Sequence, residues 1–449
     1  MDYYQEIFET KLRMEIKKEF PIISSPLNIR GFGPKSYEAF VTRSIEKNVD
    51  NSMVEDGIIY LETDKDGRAY YLDCSNGLIY YIQNGISYIA KYGNYSTHYD
   101  IFDAVYFRRF ITDPSFRSSQ LRINGNYAKE PSLLFMPSEL KNLFSIPILE
   151  YTAKSISELK SIISEITGIL SSSQYFKKLW FRGQRKEYFT FRSLNTLNKL
   201  GLSNEYGKMP SLEPSLARII SNENFADLIE RIYCWANAFR VWVLAKSSKF
   251  EEFQFNGPLY NKIIKCVRPE EMAQFVYETL LDIDEYIFFK DELEEKAGTL
   301  ALQQYGCPAS MLDITDDIDV ALFFAQSYLN KQTMKYELCG PKKGNIIYVF
   351  VQGSVTDTID ISSHAFAKAI YEGISDIPLR ILNQKCGLLT GANIFGRNTY
   401  AYRIVARINL AGADILTTKK VADMFPDIDH DSLYKTYSLA EPKLNGLYG

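Results

Sequence analysis

The sequence predicts an α+β protein, and three stretches carry that reading. Residues 57–93, "GIIYLETDKDGRAYYLDCSNGLIYYIQNGISYIAKYG", hold four short runs rich in Ile and Tyr, punctuated by Asp66-Gly67, Asn76-Gly77 and Asn84-Gly85. An Asx-Gly pair supplies the positive φ of a tight hairpin turn, and β-branched and aromatic residues suit a half-buried pleated face, so a β-meander is expected. In "SISELKSIISEITGIL", Ile156, Leu159, Ile162, Ile163 and Ile166 fall on one helical face, with Ser155 placed to cap its start. "NIIYVFVQ", residues 345–352, is a continuous apolar run of β-branched character, as in a strand buried on both faces.

The remaining elements follow in order. Phe8, Leu12, Ile16 and Phe20 are four residues apart and predict a helix over 2–20, so residues 1–115 read as a small helix-plus-meander module. "ITDPSFRSSQLRINGNYAKEPSLLFMPSEL" loses periodicity and gains Pro, Ser and Asn, which places a boundary near 112–145 and a connector over 116–149. Residues 150–435 then form a larger mixed α/β domain. Within it, 222–303 reads as consecutive helices, including "FADLIERIYCWANAFRVWVLA" and "PEEMAQFVYETLLDI", and 436–449 is a tail.

Composition narrows the classes of function. Lys plus Arg number 51 against 55 Asp plus Glu, a net charge of −4, so no global positive field draws the 449-residue chain to nucleic acid or anionic lipid. The first twenty residues mix charges throughout, and no apolar run reaches about 18 residues, so a cytoplasmic protein without a membrane segment is expected. Cys74, Cys234, Cys266, Cys307, Cys339 and Cys386 are dispersed, as are His98, His364 and His430, which predicts a reducing compartment and no zinc site.

Five ordered motifs resemble the FRG domain family: "LWFRGQ" at 179–184, "LEPSLAR" at 212–218, "LQQYGCPASMLDITDDIDVALFFA" at 302–325, "RILNQ" at 380–384 and "MFPDID" at 424–429. Phe181, Arg182 and Gly183 are the triplet that gives that family its name. The resemblance implies a domain without an established general activity. The chain departs from the family pattern of His-Tyr-Gly followed by Pro-Thr-Arg-Leu-Leu-Asp-Trp-Thr: here Gln304 precedes Tyr305-Gly306, and Pro308 to Thr315 reads "PASMLDIT". After Gln384 the Gly and Phe of the pattern are displaced, as "KCGLL". The N-terminal module resembles SUKH-type immunity-related modules, which together with the FRG likeness implies a bacterial defence or toxin-immunity setting.

The candidate site centres on Arg182, because an arginine offers a rigid fork of donors that matches phosphate or carboxylate and a following glycine lets backbone approach a ligand. Gln184, Tyr305 and Asp313 join it as ligand-binding candidates. Ser215, behind Pro214 at a helix start, and Arg218 complete that set. The order of elements is also similar to the ADP-ribosyltransferase fold. That likeness implies that Arg182 holds NAD, that the Thr315 hydroxyl supports the arginine, and that Gln384 meets the nicotinamide ribose. Glu372 or Asp376 then supplies the negative charge that an oxocarbenium-like centre requires.

Each assignment has a structural counterpart. Arg182 can pair with a buried carboxylate such as Asp313, and Thr315 can serve as the N-cap of the Asp-rich turn before "IDVALFFA". The acids of that turn show no set of metal ligands. Two non-enzymatic readings stand beside NAD chemistry. In one, Lys177, Lys178, Arg182, Arg185, Lys186 and Arg192, interleaved with Trp180, Phe181, Tyr188, Phe189 and Phe191, bind nucleic acid. In the other, the cleft is an interaction module for a nucleotide or a protein partner.

Overall fold

The computed structural model describes residues 56, 58–73, 78–89, 96–122, 140–143, 145–215, 303–306, 309, 311–330, 332, 335–353, 358–362, 378–389 and 398–440. The expected helix over 2–20 and nearly all of the helical segment 222–303 lie outside them. The chain is an α+β protein.

The meander is present as four strands, β1 (Ile58–Thr63), β2 (Ala69–Asp73), β3 (Leu78–Gln83) and β4 (Ile86–Ile89), antiparallel in sequence order. Asn84 and Gly85 carry φ of 52° and 74°, the two positive values that a hairpin turn matching strand twist needs. Asn76-Gly77 lies outside the described residues. Directly opposed tyrosines stack across the strands, Tyr71 on Tyr80 at 5.8 Å and Tyr81 on Tyr88 at 5.4 Å.

Further strands follow in chain order: β5 (Leu149–Ala153), β6 (Lys178–Gln184), β7 (Phe189–Phe191), β8 (Lys208–Pro210), β9 (Leu312–Thr315), β10 (Ser327–Asn330), β11 (Lys335–Leu338), β12 (Ile346–Gln352), β13 (Thr358–Asp360), β14 (Cys386–Leu389) and β15 (Ala406–Leu410). The helices are α1 (Ser96–Thr112), α2 (Pro114–Arg122), α3 (Leu140–Leu143), α4 (Ile156–Leu170), α5 (Leu194–Leu200), α6 (Ile318–Ala325), α7 (Leu379–Asn383), α8 (Thr399–Tyr402), α9 (Val421–Met424) and α10 (Ser432–Ala440). Seven strands form the main sheet in the order β13-β14-β9-β6-β12-β15-β5. Its neighbours are antiparallel except for β15 and β5. The pairs β7-β8 and β10-β11 are separate hairpin sheets.

β12 is interior to this sheet, and six of its seven residues are buried, as an apolar run without alternation requires. Ile346, Tyr348 and Phe350 share one buried cluster with Trp180 and with Tyr60 and Tyr80 of the meander. Ile347, Val349 and Val351 belong to another, with Phe107 and Phe110 of α1, Leu159 and Ile166 of α4, and Ala321 and Leu322 of α6. α4 begins as its sequence predicts: the Ser155 hydroxyl accepts from Glu158 N at 3.1 Å, and Glu158 Oε2 accepts from Lys154 N at 2.7 Å.

The expected connector needs correction at its start, because α2 occupies Pro114–Arg122. Asp113 Oδ1 accepts from Phe116 N at 2.9 Å and Pro114 takes the first helical position, where a missing N–H costs nothing. Asp-Pro was therefore a helix-start signal that the loss of apolar periodicity concealed. Polar contacts also tie the meander to the segment between β7 and α5. Asp73 of β2 pairs in bidentate fashion with Arg192 at 2.6 and 2.7 Å, and Asp56 Oδ2 accepts from both Ser193 N and Ser193 Oγ.

Arg108 of α1 is 3% exposed and gives its guanidinium N–H groups to the carbonyls of Ile146, Tyr402 and Ile404. Burial pulls its pKa down to about 10. No helix among the described residues is long and apolar enough to cross a membrane.

Candidate functional site

β6 and β9 pair at one position, Phe181 with Thr315. On the side where Arg182 and Gly183 follow, Arg182 Nη1 reaches across to donate to the Asp313 carbonyl oxygen at 2.7 Å. A cavity of about 650 Å³ opens there. Its walls come from β6, β9, β11, α6, α7, β14 and the segment from α9 to α10. Arg182, Gly183, Tyr305, Asp313, Thr315 and Gln384 all line it, although more than two hundred residues separate the first from the last. Gln184 and Ser215 do not line it, and Arg218 lies outside the described residues. Ser215 Oγ instead accepts from Ala309 N at 3.1 Å.

Gly183 serves the fold here. A Cβ built on it would sit 1.7 Å from the Ala321 carbonyl oxygen and 2.7 Å from Ala325 N. The absent side chain therefore lets α6 lie directly on β6, a packing reason that stands beside its place in the cavity wall.

Thr315 donates its hydroxyl to the Gln384 carbonyl at 2.7 Å and accepts from Asp317 N at 3.2 Å. It joins β9 to the end of α7. The N-cap of α6 is Asp317, whose carboxylate accepts from Asp319 N and Val320 N. The sequence placed that cap two residues early. Gln384 is 4% exposed and donates Nε2 to the Met424 carbonyl at 2.8 Å, which fastens α9 to α7. Glu372 and Asp376 lie outside the described residues.

Asp313 sits among amides. Oδ1 accepts from Gln303 Nε2 at 2.8 Å and from Gln304 Nε2 at 2.5 Å. Burial raises its pKa above the usual 3.8, and the positive charge of Arg182 and the two amide bonds only partly oppose that rise. The folded state thus holds this proton more tightly than the unfolded chain. The stability contributed by Asp313 should fall as pH rises from about 3.8 through the folded value. Asp313→Asn keeps Oδ1 as the acceptor for both glutamines but removes the titration. Denaturation measured from about pH 4 to about pH 8 should show a pH slope in the wild type that the variant loses. Equal slopes in both proteins would place the titrating group elsewhere.

Tyr305 is fully buried and donates its hydroxyl to Asp431 Oδ2 at 2.6 Å, while Asp431 Oδ1 accepts from Leu433 N and Tyr434 N at the start of α10. Cys386 lies in the same wall, with Sγ 3.1 Å from Gln304 Oε1. Burial pushes its thiol well above the usual 9.0, so it does not present a thiolate.

Residues that the sequence did not single out complete the site. Tyr336 of β11 stacks on Phe425 with centroids 4.0 Å apart and planes at 8°, and Lys335 stands beside it. Arg380 of α7 is 7% exposed and lies over the rings of Tyr434 at 4.3 Å, Tyr305 at 4.8 Å and Phe425 at 5.5 Å. "RILNQ" and "MFPDID" held two of these residues in view. What they lacked was a partner in sequence, because the cage draws on residues 305, 425 and 434.

The basic-aromatic stretch at 177–192 divides between inside and outside. Trp180 and Phe181 are buried, Lys178 pairs with Asp316 and Asp360, Arg182 lines the cavity and Arg192 pairs with Asp73. Tyr188 and Phe191 remain exposed, at 56% and 70%. No family model matches the chain, and comparison with curated proteins and with solved structures gives no match.

Proposed function

We propose that the cavity binds a nucleotide or similarly sized anionic ligand, with Arg182 as a principal anion contact. The observation that carries this reading is the presence of two guanidinium groups, Arg182 and Arg380, in one aromatic-walled cavity of about 650 Å³. That volume suits a ligand of nucleotide size, and pockets of this kind combine apolar walls with a few convergent polar groups. Three cations, Arg182, Lys335 and Arg380, face two carboxylates. Of these, Asp313 resists ionisation through burial, and Asp427 accepts from His430 Nδ1 at 2.6 Å. An anion is therefore the complementary guest.

The proposal is for binding, with NAD among the nucleotides to be tried. Thr315 and Gln384 are both engaged in holding the wall, so neither is proposed to meet a substrate. The FRG likeness and a role in bacterial defence remain compatible with a nucleotide-recognition module.

Arg182→Lys separates recognition from scaffolding. Lysine keeps the charge but loses the planar fork, so nucleotide affinity should fall roughly tenfold or more, matching a charge-assisted hydrogen bond of about 1.5 to 3 kcal/mol. The melting temperature should change less in proportion. Calorimetric titrations with NAD, ADP and ATP beside thermal melts make the comparison. A variant that binds as the wild type does but melts far earlier would assign Arg182 to the fold alone.

A further inference from the structure

Arg380 differs from the other buried arginines of known partners. Arg108 is met by main-chain carbonyls, and Arg192 by the Asp73 carboxylate and the Tyr402 hydroxyl. The Arg380 guanidinium lies against three ring faces, and its Nε is buried with no hydrogen-bond partner among the described residues. No described carboxylate pairs with it. Ring faces attract the cation but accept little from the in-plane N–H edge, so the buried Nε–H is left without an acceptor among the described residues. A buried donor on a charged group is costly unless something completes it, and the side chain lines the cavity.

The rings also fix its place. Tyr305 is held by Asp431, and Phe425 is held by its stack on Tyr336. The cage therefore orients the guanidinium before any ligand arrives, which lowers the ordering cost of binding. Arg182 sits on β6 with Nη1 on the Asp313 carbonyl, and Arg380 sits on α7, so the two forks approach the cavity from different elements.

We propose that Arg380, caged by Tyr305, Phe425 and Tyr434, is a second oxyanion subsite, so that the cavity takes a ligand with two linked phosphate groups, a nucleoside diphosphate or its derivative, in preference to a monophosphate. This rests on the anion-binding reading of the same cavity and narrows its ligand class. Each fork contacts one phosphate of the pair. A monophosphate reaches only one of the two guanidinium groups.

The test is a calorimetric titration of the full chain with inorganic phosphate, pyrophosphate, AMP and ADP, for the wild type, Arg380→Met and Arg380→Lys. Methionine retains an unbranched stem that packs on aromatic rings, and lysine retains the charge over them. The wild type should bind pyrophosphate and ADP at least about tenfold more tightly than phosphate and AMP, one charge-assisted contact's worth. Arg380→Met should reduce that preference to near unity, with Arg380→Lys between the two. A wild type that binds these anions without preferring the diphosphates overturns the inference but leaves the anion-binding reading standing, and this arm needs no variant to fold. A full diphosphate preference in Arg380→Met does the same. A wild type that binds none of the four removes both readings.

Discussion

Replacing Arg192 with methionine is expected to destabilise the protein by about 3 to 5 kcal/mol, the cost of leaving a buried charge without its counter-ion. The Arg192 and Asp73 side chains are 6% and 1% exposed, and two hydrogen bonds of 2.6 and 2.7 Å join them. Burial alone would favour neutral Arg192, but the Asp73 carboxylate overcomes that and raises its pKa above the ordinary value. Arg192 also donates to the Tyr402 hydroxyl at 3.2 Å, which extends the contact to α8. In the variant, the Asp73 carboxyl group stays buried without the guanidinium. Urea denaturation followed by fluorescence of the buried Trp180 should show a much lower midpoint. The double variant Asp73→Leu with Arg192→Met removes both charges and should recover a large part of the loss. A single variant within about 0.5 kcal/mol of the wild type would mean that the Asp73–Arg192 pair contributes little to stability.

Gly183→Ala is expected to cost about 3 kcal/mol or more, at the upper end of what overpacking a core does. The three nearest obstacles to the new methyl are all main-chain atoms: Ala321 O at 1.7 Å, Ala325 N at 2.7 Å and Ala321 C at 2.8 Å. No side-chain rotation relieves such an overlap, so α6 must move away from β6. Phe324 of α6 and Arg182 of β6 both line the cavity, and ligand affinity should decline together with stability. Thermal melts and nucleotide titration of the same variant measure both. A Gly183→Ala protein that melts with the wild type would return the glycine to the ligand-approach role that its motif suggests.

What the sequence revealed follows from the range of the forces involved. The Asn84-Gly85 turn, the Ser155 cap and the buried β12 are each set by residues within a few positions, and periodicity with turn chemistry was sufficient to find them. The motifs that hold Arg182, Tyr305, Asp313, Thr315 and Gln384 meet around one cavity, where β9 pairs with both β6 and β14.

Their individual bonds were not traceable. Whether Thr315, Asp316 or Asp317 caps α6 depends on where β9 ends, and that is set by its pairing with β14. Gly183 could not be assigned to packing without knowing that Ala321 lies across from it. Arg380 stood unmarked within "RILNQ", since its cage draws on rings 75 residues before it and 45 and 54 after it. The start of the connector was misread for the opposite reason: Asp113-Pro114 is a local signal, but α2 has little apolar periodicity to announce it.

The most direct test of the central claim, that this cavity is where an anionic nucleotide binds, is hydrogen exchange on the full chain with and without ADP. Binding at the site should slow exchange in peptides covering residues 181–183, 303–306, 379–386 and 421–434, the segments that meet around Arg182 and Arg380. The meander strands should be unchanged. Unaltered exchange at those four segments, with protection confined to another part of the chain or to none, would contradict the account.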